Sequence, residues 1–554
     1  MDSVLSPTKF GILWDRLISI ADEILNTLVR TAFSIVVREG RDACCVILDK
    51  EGRSVAQSSE STGAFIATMP ITAKHMLRKF PAATLNQGDI LVTNDPWIGP
   101  GHLNDITIIK PVFNKGELVA LIGTTTHLPD IGGIGYSATS SEIYEEGLRI
   151  PICKLVKSGA INEELLEIIQ NNVRSKEQVI GDLKAAVAAL HIGEGRIIKV
   201  ITEYRIKDPG LLFSSILDRS EQIVRSKIED IPNGDYHNTV NIEASGNPIK
   251  IECILKVRDG EILIDYSGTS STISEALNSP LSFTYGWSAY GIKCAVAPAV
   301  PNNEGSFLPV KIHAPEGCIL NAPHPCSVAA RHIVGHFLPS VIFGALSKEI
   351  PLALMADAGL FSVIYFSGRD PNDSVYAIEY DPNGGLGATA NYDGVSCTSF
   401  PTVAHTTPAE IFERATGLLL ERRELRQDSG GPGKNRGGLG QIVSIRNTTK
   451  KDVTAVVTIS RTEFPPRGFQ GGNDGELKAV YINDSPAHPR ANHKLRPGDT
   501  IRLEDAGGGG FYDPFQRDTD KVIQDVINGF VSIKSAKRDY GISIDPKTMK
   551  IEKH

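Results

Sequence analysis

No cysteine in this chain has another three residues on. The 8 cysteines stand at 44, 45, 153, 253, 294, 318, 326 and 397, which excludes a zinc ribbon and a thioredoxin-like redox motif. No apolar run approaches the roughly 18 residues that a membrane span requires. The opening MDSVLSPTKFGILWDRL carries acid where a secretory signal carries base. Together these absences predict a cytoplasmic protein without a membrane partner. A Lys/Arg stripe is missing too: 57 basic and 65 acidic residues are mixed along the chain, for a net charge of −8. Nucleic acid is thereby excluded as a partner. Nucleotide loops are also absent. In GGPGKNRGGLG, Gly433-Lys434 is followed by Asn435 instead of Ser or Thr, and DAGGGGFYDP has no G-x-G-x-x-G opening a helix. These glycine clusters read as tight turns or close backbone packing.

What is present is ordinary globular composition, 41% hydrophobic and 22% charged over 554 residues, enough for about three domains. Phe10, Leu13, Trp14, Leu17, Ile18, Ala21, Ile24, Leu25 and Leu28 recur at helical spacing and predict an amphipathic helix over 8–33. From about 43 to 126 the runs ACCVILD, DILVTND, ITIIKPVF and LVALIGTTT, broken by turn residues, predict strands. In such a strand Cys44 and Cys45 face opposite sides, as buried small hydrophobes. Residues 160–229 are helical in pattern, interrupted at Asp208-Pro209-Gly210. Hairpins follow from about 235, then an apolar helix over 329–346, a short helix in PAEIFERATGLLL, strands TAVVTIS and TIRLEDA, and a tail helix DKVIQDVINGF. The fold class expected is α+β and multi-domain, with a β-rich amino-terminal unit over 1–234, a central α+β domain over 235–404, and a glycine-rich region containing strands over 405–554.

The chemistry concentrates in NDPWIGPGHLNDITIIKPVF (94–113) and TTTHLPDIGG (124–133). His102-x-x-Asp105 opens one predicted strand, and His127 of His127-x-x-Asp130 closes another. A hairpin would set the start of the first beside the end of the second, so that His102, Asp105 and His127 meet at one end of a sheet. Two imidazoles and a carboxylate suit Zn²⁺, Mn²⁺ or Fe²⁺ and leave a position open for water or substrate. His332 and His336, an i, i+4 pair in RHIVGH, compete as ligands, but the glutamate of the metalloprotease pattern is absent. A packing or substrate-facing role is expected for them.

The order of these segments resembles the hydantoinase B family, which includes the C-terminal half of 5-oxoprolinase and the large subunits of acetone and acetophenone carboxylases. The matching pieces run from 39 to 518: EGRDACCVILDKEGR, NDPWIGPGHLNDITIIKPVF, the H-x-x-D-I-G-G of 127–133, EEGLRIPICKL, DYSGTS, LRQDSGGPGKNRGGLGQ and DAGGGGFYDPFQRD. Pro100 and Asn104 depart from the family pattern, and neither adds or removes a ligand. The resemblance implies a divalent metal, Zn or Mn and otherwise Fe, held by His102, Asp105 and His127 with Asp42 as fourth protein ligand. It implies an outer-shell or general-base role for Asp130. It further implies a hetero-oligomer, with two copies of each subunit, in which a hydantoinase A-type partner binds ATP and Mg and phosphorylates a cyclic amide that this subunit hydrolyses. Two alternatives stay open: an ATP-dependent ketone carboxylase subunit, and a noncatalytic scaffold with a structural metal.

Overall fold

A computed structural model describes residues 6–371 and 373–551. Its first helix spans Pro7–Thr31: the Ser6 hydroxyl accepts from the Lys9 amide, Pro7 occupies the first turn, and Leu13, Leu17, Ile20, Ile24 and Leu28 bury one stripe. That stripe lies on a sheet of seven strands: β1 (Ala43–Leu48), β2 (Ser54–Gln57), β3 (Ile90–Thr93), β4 (Asp105–Asn114), β5 (Glu117–His127), β6 (Cys153–Lys157) and β7 (Ala160–Ile161). Their spatial order is β2-β1-β5-β4-β3-β6-β7, and every adjacent pair is antiparallel.

Both faces of this sheet are covered, which is why β1, β4 and β5 read as nearly continuous apolar runs instead of alternating ones. Cys44, Val46 and Leu48 enter a core with Phe65, Met69 and Met76 of the helix Gly63–Lys79. Ala43, Cys45 and Ile47 enter another with Leu17 and Ile24 of the first helix and with Leu183 and Leu190 of the helix Lys176–Glu203. The two cysteines thus face opposite sides, as strand geometry requires. The helical stretch predicted over 160–229 is three helices, Glu163–Asn172, Lys176–Glu203 and Pro209–Glu229. Asp208-Pro209 is a helix start, with the Asp208 carboxylate accepting from the Gly210 amide.

A second sheet is ordered Val310–His313, Glu261–Asp265, Ile249–Arg258, Gly234–Ile242. It packs on the helices Leu281–Val296 and Phe337–Leu346 in the same core as the inner face of the first sheet. The helix expected over 329–346 is split: His332–Gly335 and Phe337–Leu346 meet at His336. The third sheet pairs Val363–Arg369 with Val375–Tyr380 and with Val453–Thr458, which pairs in turn with Arg490–Leu495. Its hydrogen bonds therefore cross the boundary expected between 404 and 405. The helix expected throughout PAEIFERATGLLL ends at Thr416, because Gly417 turns the chain at φ 73° and Leu419 enters a strand of the fourth sheet. The glycine clusters pack backbone on backbone. The Gly508 amide donates to the Gly438 carbonyl at 2.8 Å, and a Cβ on Gly508 would stand 1.9 Å from the Leu386 carbonyl oxygen. The whole is a multi-domain α+β fold. Among the described residues, no helix is long and apolar enough to cross a membrane.

Candidate metal centre

Strand register builds the site. Asp105, the first residue of β4, lies opposite His127, the last of β5. On the other side of β5, Ala43 pairs with Thr126, and the His127 amide donates to the Asp42 carbonyl at 3.1 Å. One sheet end thereby gathers Asp42, Asp105 and His127. His102 arrives from the loop before β4. Asn94 holds that loop: its side-chain amide donates to the Leu103 and Leu148 carbonyls, and its side-chain oxygen accepts from the Ile150 amide. Gly101 must be glycine here, since its φ is +94° and a Cβ would come 2.8 Å from both Arg331 and Phe283.

Asp105 is the hub. Its Oδ1 lies 2.8 Å from His102 Nε2 and 2.9 Å from His127 Nδ1, and its Oδ2 accepts from Arg331 at 2.6 Å. Arg331 also donates to the Pro100 carbonyl at 2.7 Å and lies over the Phe283 ring at 4.2 Å. Asp42 Oδ2 is 3.8 Å from His127 Nδ1, and Thr62 donates to Asp42 Oδ1 at 2.8 Å. From the third sheet, Glu379 Oε2 comes within 3.6 Å of His127 Nε2.

These charges act on one another. Burial raises the Asp105 pKa, but His102, Arg331 and the hydrogen bond from His127 outweigh it and hold this carboxyl well below the usual carboxylate range. Burial, with the Arg331 charge beside it, pushes His102 down to about 3 and leaves the ring neutral. Burial opposes a charge on His127 as well, yet the bond to Asp105 and the charges of Glu379, Asp105 and Asp42 take it up to about 9. Burial raises Asp42, with Asp105 adding to the effect and His127 opposing it. Burial likewise takes Asp381 up to about 8 and holds Glu379 well above its ordinary value, with Asp381 adding to that second shift.

The donor set fits a divalent cation. The ligating atoms of His102, Asp105 and His127 lie within 4.8 Å of one another, and all three residues are buried. Although His102 Nε2 approaches Asp105 closely, neither nitrogen of that ring makes a hydrogen bond. A buried neutral imidazole with both nitrogens unpaired is costly unless something else meets it. Asp42, Glu379 and Asp381 add three further carboxyl groups around the same cavity, the first two partly buried and the third buried, against one guanidinium. The cavity, about 50 Å³, has His102, Asp105 and His127 on one side and Tyr136, Trp287, His332, His336 and Phe361 among its remaining walls.

Sequence reasoning missed Arg331, Tyr136, Glu379 and Asp381. Arg331 directly precedes the His332/His336 pair, and that pair was the only available pointer to it. Glu379 lies in the strand VYAIEY without any motif. Asp130 is placed elsewhere. Its carboxylate accepts from the Gly132 amide at 3.0 Å, from the Arg174 guanidinium at 2.9 Å and from the Ser175 amide at 3.3 Å, and it also takes the Arg174 amide. It is not among the residues lining the cavity.

The same arrangement of strands and helices occurs in solved proteins. An ATP-dependent caprolactamase from Pseudomonas jessenii superposes with a TM-score of 0.91 at 25% identity, covering 98% of this chain and 97% of that one. An acetone carboxylase in its nucleotide-free form shares the fold, with a TM-score of 0.89 at 19% identity over 99% of this chain and 82% of that one. A putative D-/L-hydantoinase component of the B type, from Pseudomonas sp. strain NS671, is 28% identical over 98% of this chain and 95% of its own length. The hydantoinase B/oxoprolinase family model matches residues 6–514, a span that takes in the sheet end, both H-x-x-D motifs and the glycine lattice. The chain belongs to the hydantoinase B/oxoprolinase family.

Proposed function

We propose that this chain is the hydrolytic subunit of an ATP-dependent amidohydrolase acting on cyclic amides of the hydantoin, lactam or 5-oxoproline type. The observation that carries this reading is the buried His102–Asp105–His127 cluster facing a cavity, in a chain whose relatives are named as a hydantoinase subunit and a caprolactamase. His102, Asp105 and His127 would hold a divalent ion, Zn or Mn and otherwise Fe, with Asp42 as the fourth protein ligand. When bound, such an ion supplies Lewis acidity and makes water acidic enough to ionise near neutral pH.

The partner is an A-type subunit that binds ATP and Mg and phosphorylates the amide oxygen, in an assembly with two copies of each subunit. Phosphorylation turns an unreactive amide into an imidate with a good leaving group. Water adds at the imidate carbon, and the ring C–N bond breaks with the nitrogen leaving protonated as the amine. A second water then releases phosphate from the resulting acyl phosphate. This chain's residues prepare the place. Arg331 fixes Asp105 in its ionised form, His102 stays neutral, and the Glu379–Asp381 pair keeps a proton close to His127. Asp130 serves by bracing the loop that carries Gly132 and Gly133 against Arg174.

The test is reconstitution with the ATP-binding subunit, measuring ADP release with hydantoin, 5-oxoproline or caprolactam in the presence and absence of bicarbonate. ATP turnover stimulated by one of these amides without bicarbonate, and lost in His102→Ala, is the expected result. Turnover that demands a ketone and bicarbonate contradicts it and favours carboxylation.

A further inference from the structure

His332 stands in the wall of this cavity and ligates nothing in the reading above. It is 5% exposed. Its Nδ1 lies 2.7 Å from the Tyr136 hydroxyl, and its Nε2 is buried without any hydrogen-bond partner. The Tyr136 ring stands 5.7 Å from the His102 ring, 5.8 Å from the His127 ring and 5.5 Å from the His332 ring. One aromatic ring therefore separates His332 from two of the residues that would hold the ion. Phe361 at 5.7 Å and His336 at 5.6 Å close the other sides.

The contact admits either tautomer; where the Tyr136 hydroxyl donates to Nδ1, the ring's own proton sits on the otherwise unpartnered Nε2. Burial, with His336 and Arg331 adding to it, holds His332 well below the usual imidazole range, and the ring is neutral. Arg331 is the permanent cation that acts on His332, and no carboxylate is among the groups that do.

We infer that His332 donates its Nε2–H to a phosphoryl oxygen of the ligand, with Tyr136 as the positioning residue that presents this tautomer. The inference rests on the reading that the cavity receives an amide phosphorylated on oxygen, and it names the residue that recognises the phosphoryl group. A neutral donor serves such a site because it binds the oxyanion without forming an ion pair with the neighbouring carboxylates.

The test uses the full chain, with inorganic phosphate as probe. Mn²⁺ uptake and phosphate affinity are measured for the wild type, His332→Ala, His332→Gln and Tyr136→Phe, with phosphate titrated into both Mn²⁺-loaded and ion-free protein. Retained Mn²⁺ uptake with phosphate binding weakened about tenfold in His332→Ala is the expected result. Gln carries an amide donor at the matching position and restores most of the affinity, while Tyr136→Phe falls between the two. Equal phosphate affinity in wild type and His332→Ala overturns the inference, as does a Gln variant no better than Ala, which marks a packing role. A wild type that takes up no Mn²⁺ overturns the metal reading instead, and the ion-free titrations still decide on the donor.

Discussion

Two motifs of identical spacing, His102-x-x-Asp105 and His127-x-x-Asp130, come to opposite ends. Asp105 is the first residue of β4 and collects two imidazoles and a guanidinium. Asp130 lies three residues beyond the end of β5, where the chain has left the sheet, and its oxygens are taken by Arg174, Gly132 and Ser175. His127 is the link between them. In sequence it heads the second motif, but across the sheet it belongs to the first. The spacing becomes a candidate ligand pair only where strand register adds a further donor. Otherwise the same carboxylate becomes a loop brace.

The largest expected difference between these two carboxylates is in stability. Asp105→Asn leaves the buried Arg331 guanidinium without its counter-charge and is expected to destabilise the fold by about 3–5 kcal/mol in denaturant titrations, with loss of bound metal. A loss no larger than that of an exposed carboxylate would erase the distinction drawn here.

A second contrast is between Asp105, held ionised by neighbouring cations, and Glu146, in the loop after the second motif. Glu146 Oε1 accepts from Ser140 and from the Val328 and Ala329 amides, yet burial takes the carboxyl from 4.5 up to about 7. The folded chain therefore binds the extra proton. Its contribution, about 3 kcal/mol, is fully present below about pH 4.5 and is gone once the pH has risen through about 7. Unfolding titrations from pH 5 to 8 should show this slope in the wild type and a flatter profile in Glu146→Gln.

The smallest effect belongs to Asp130→Asn. Weakened bonds to Arg174 and the Gly132 and Ser175 amides cost about 2 kcal/mol, and metal content stays unchanged when measured beside Asp105→Asn. Metal loss in the Asp130 variant would return that residue to the site.

Much of this was legible in the sequence. Helical periodicity marked the first helix, and apolar runs marked β1, β3, β4 and β5. The hairpin argument set Asp105 beside His127, because a strand's first and last residues are fixed by where its turn lies. The rest depends on contacts between distant segments. Arg331 and His332 reach the cavity from the core shared by the first and second sheets, and Glu379 from the third sheet, and no local pattern reports which side of a sheet end another sheet will cover. Tyr136 lies in a loop dense in glycine, where periodicity says nothing. Asp130, given an outer-shell or general-base role by the resemblance, has its carboxylate bound by Arg174, just ahead of a helix and 44 residues away, a pairing no local pattern reports.

The most direct test is the metal content of the purified chain by elemental mass spectrometry, beside His102→Ala and His127→Ala. The account predicts about one divalent transition metal per chain in the wild type and none in either variant, with both variants still folded. A folded wild type that stays empty when Zn²⁺ and Mn²⁺ are supplied would contradict it.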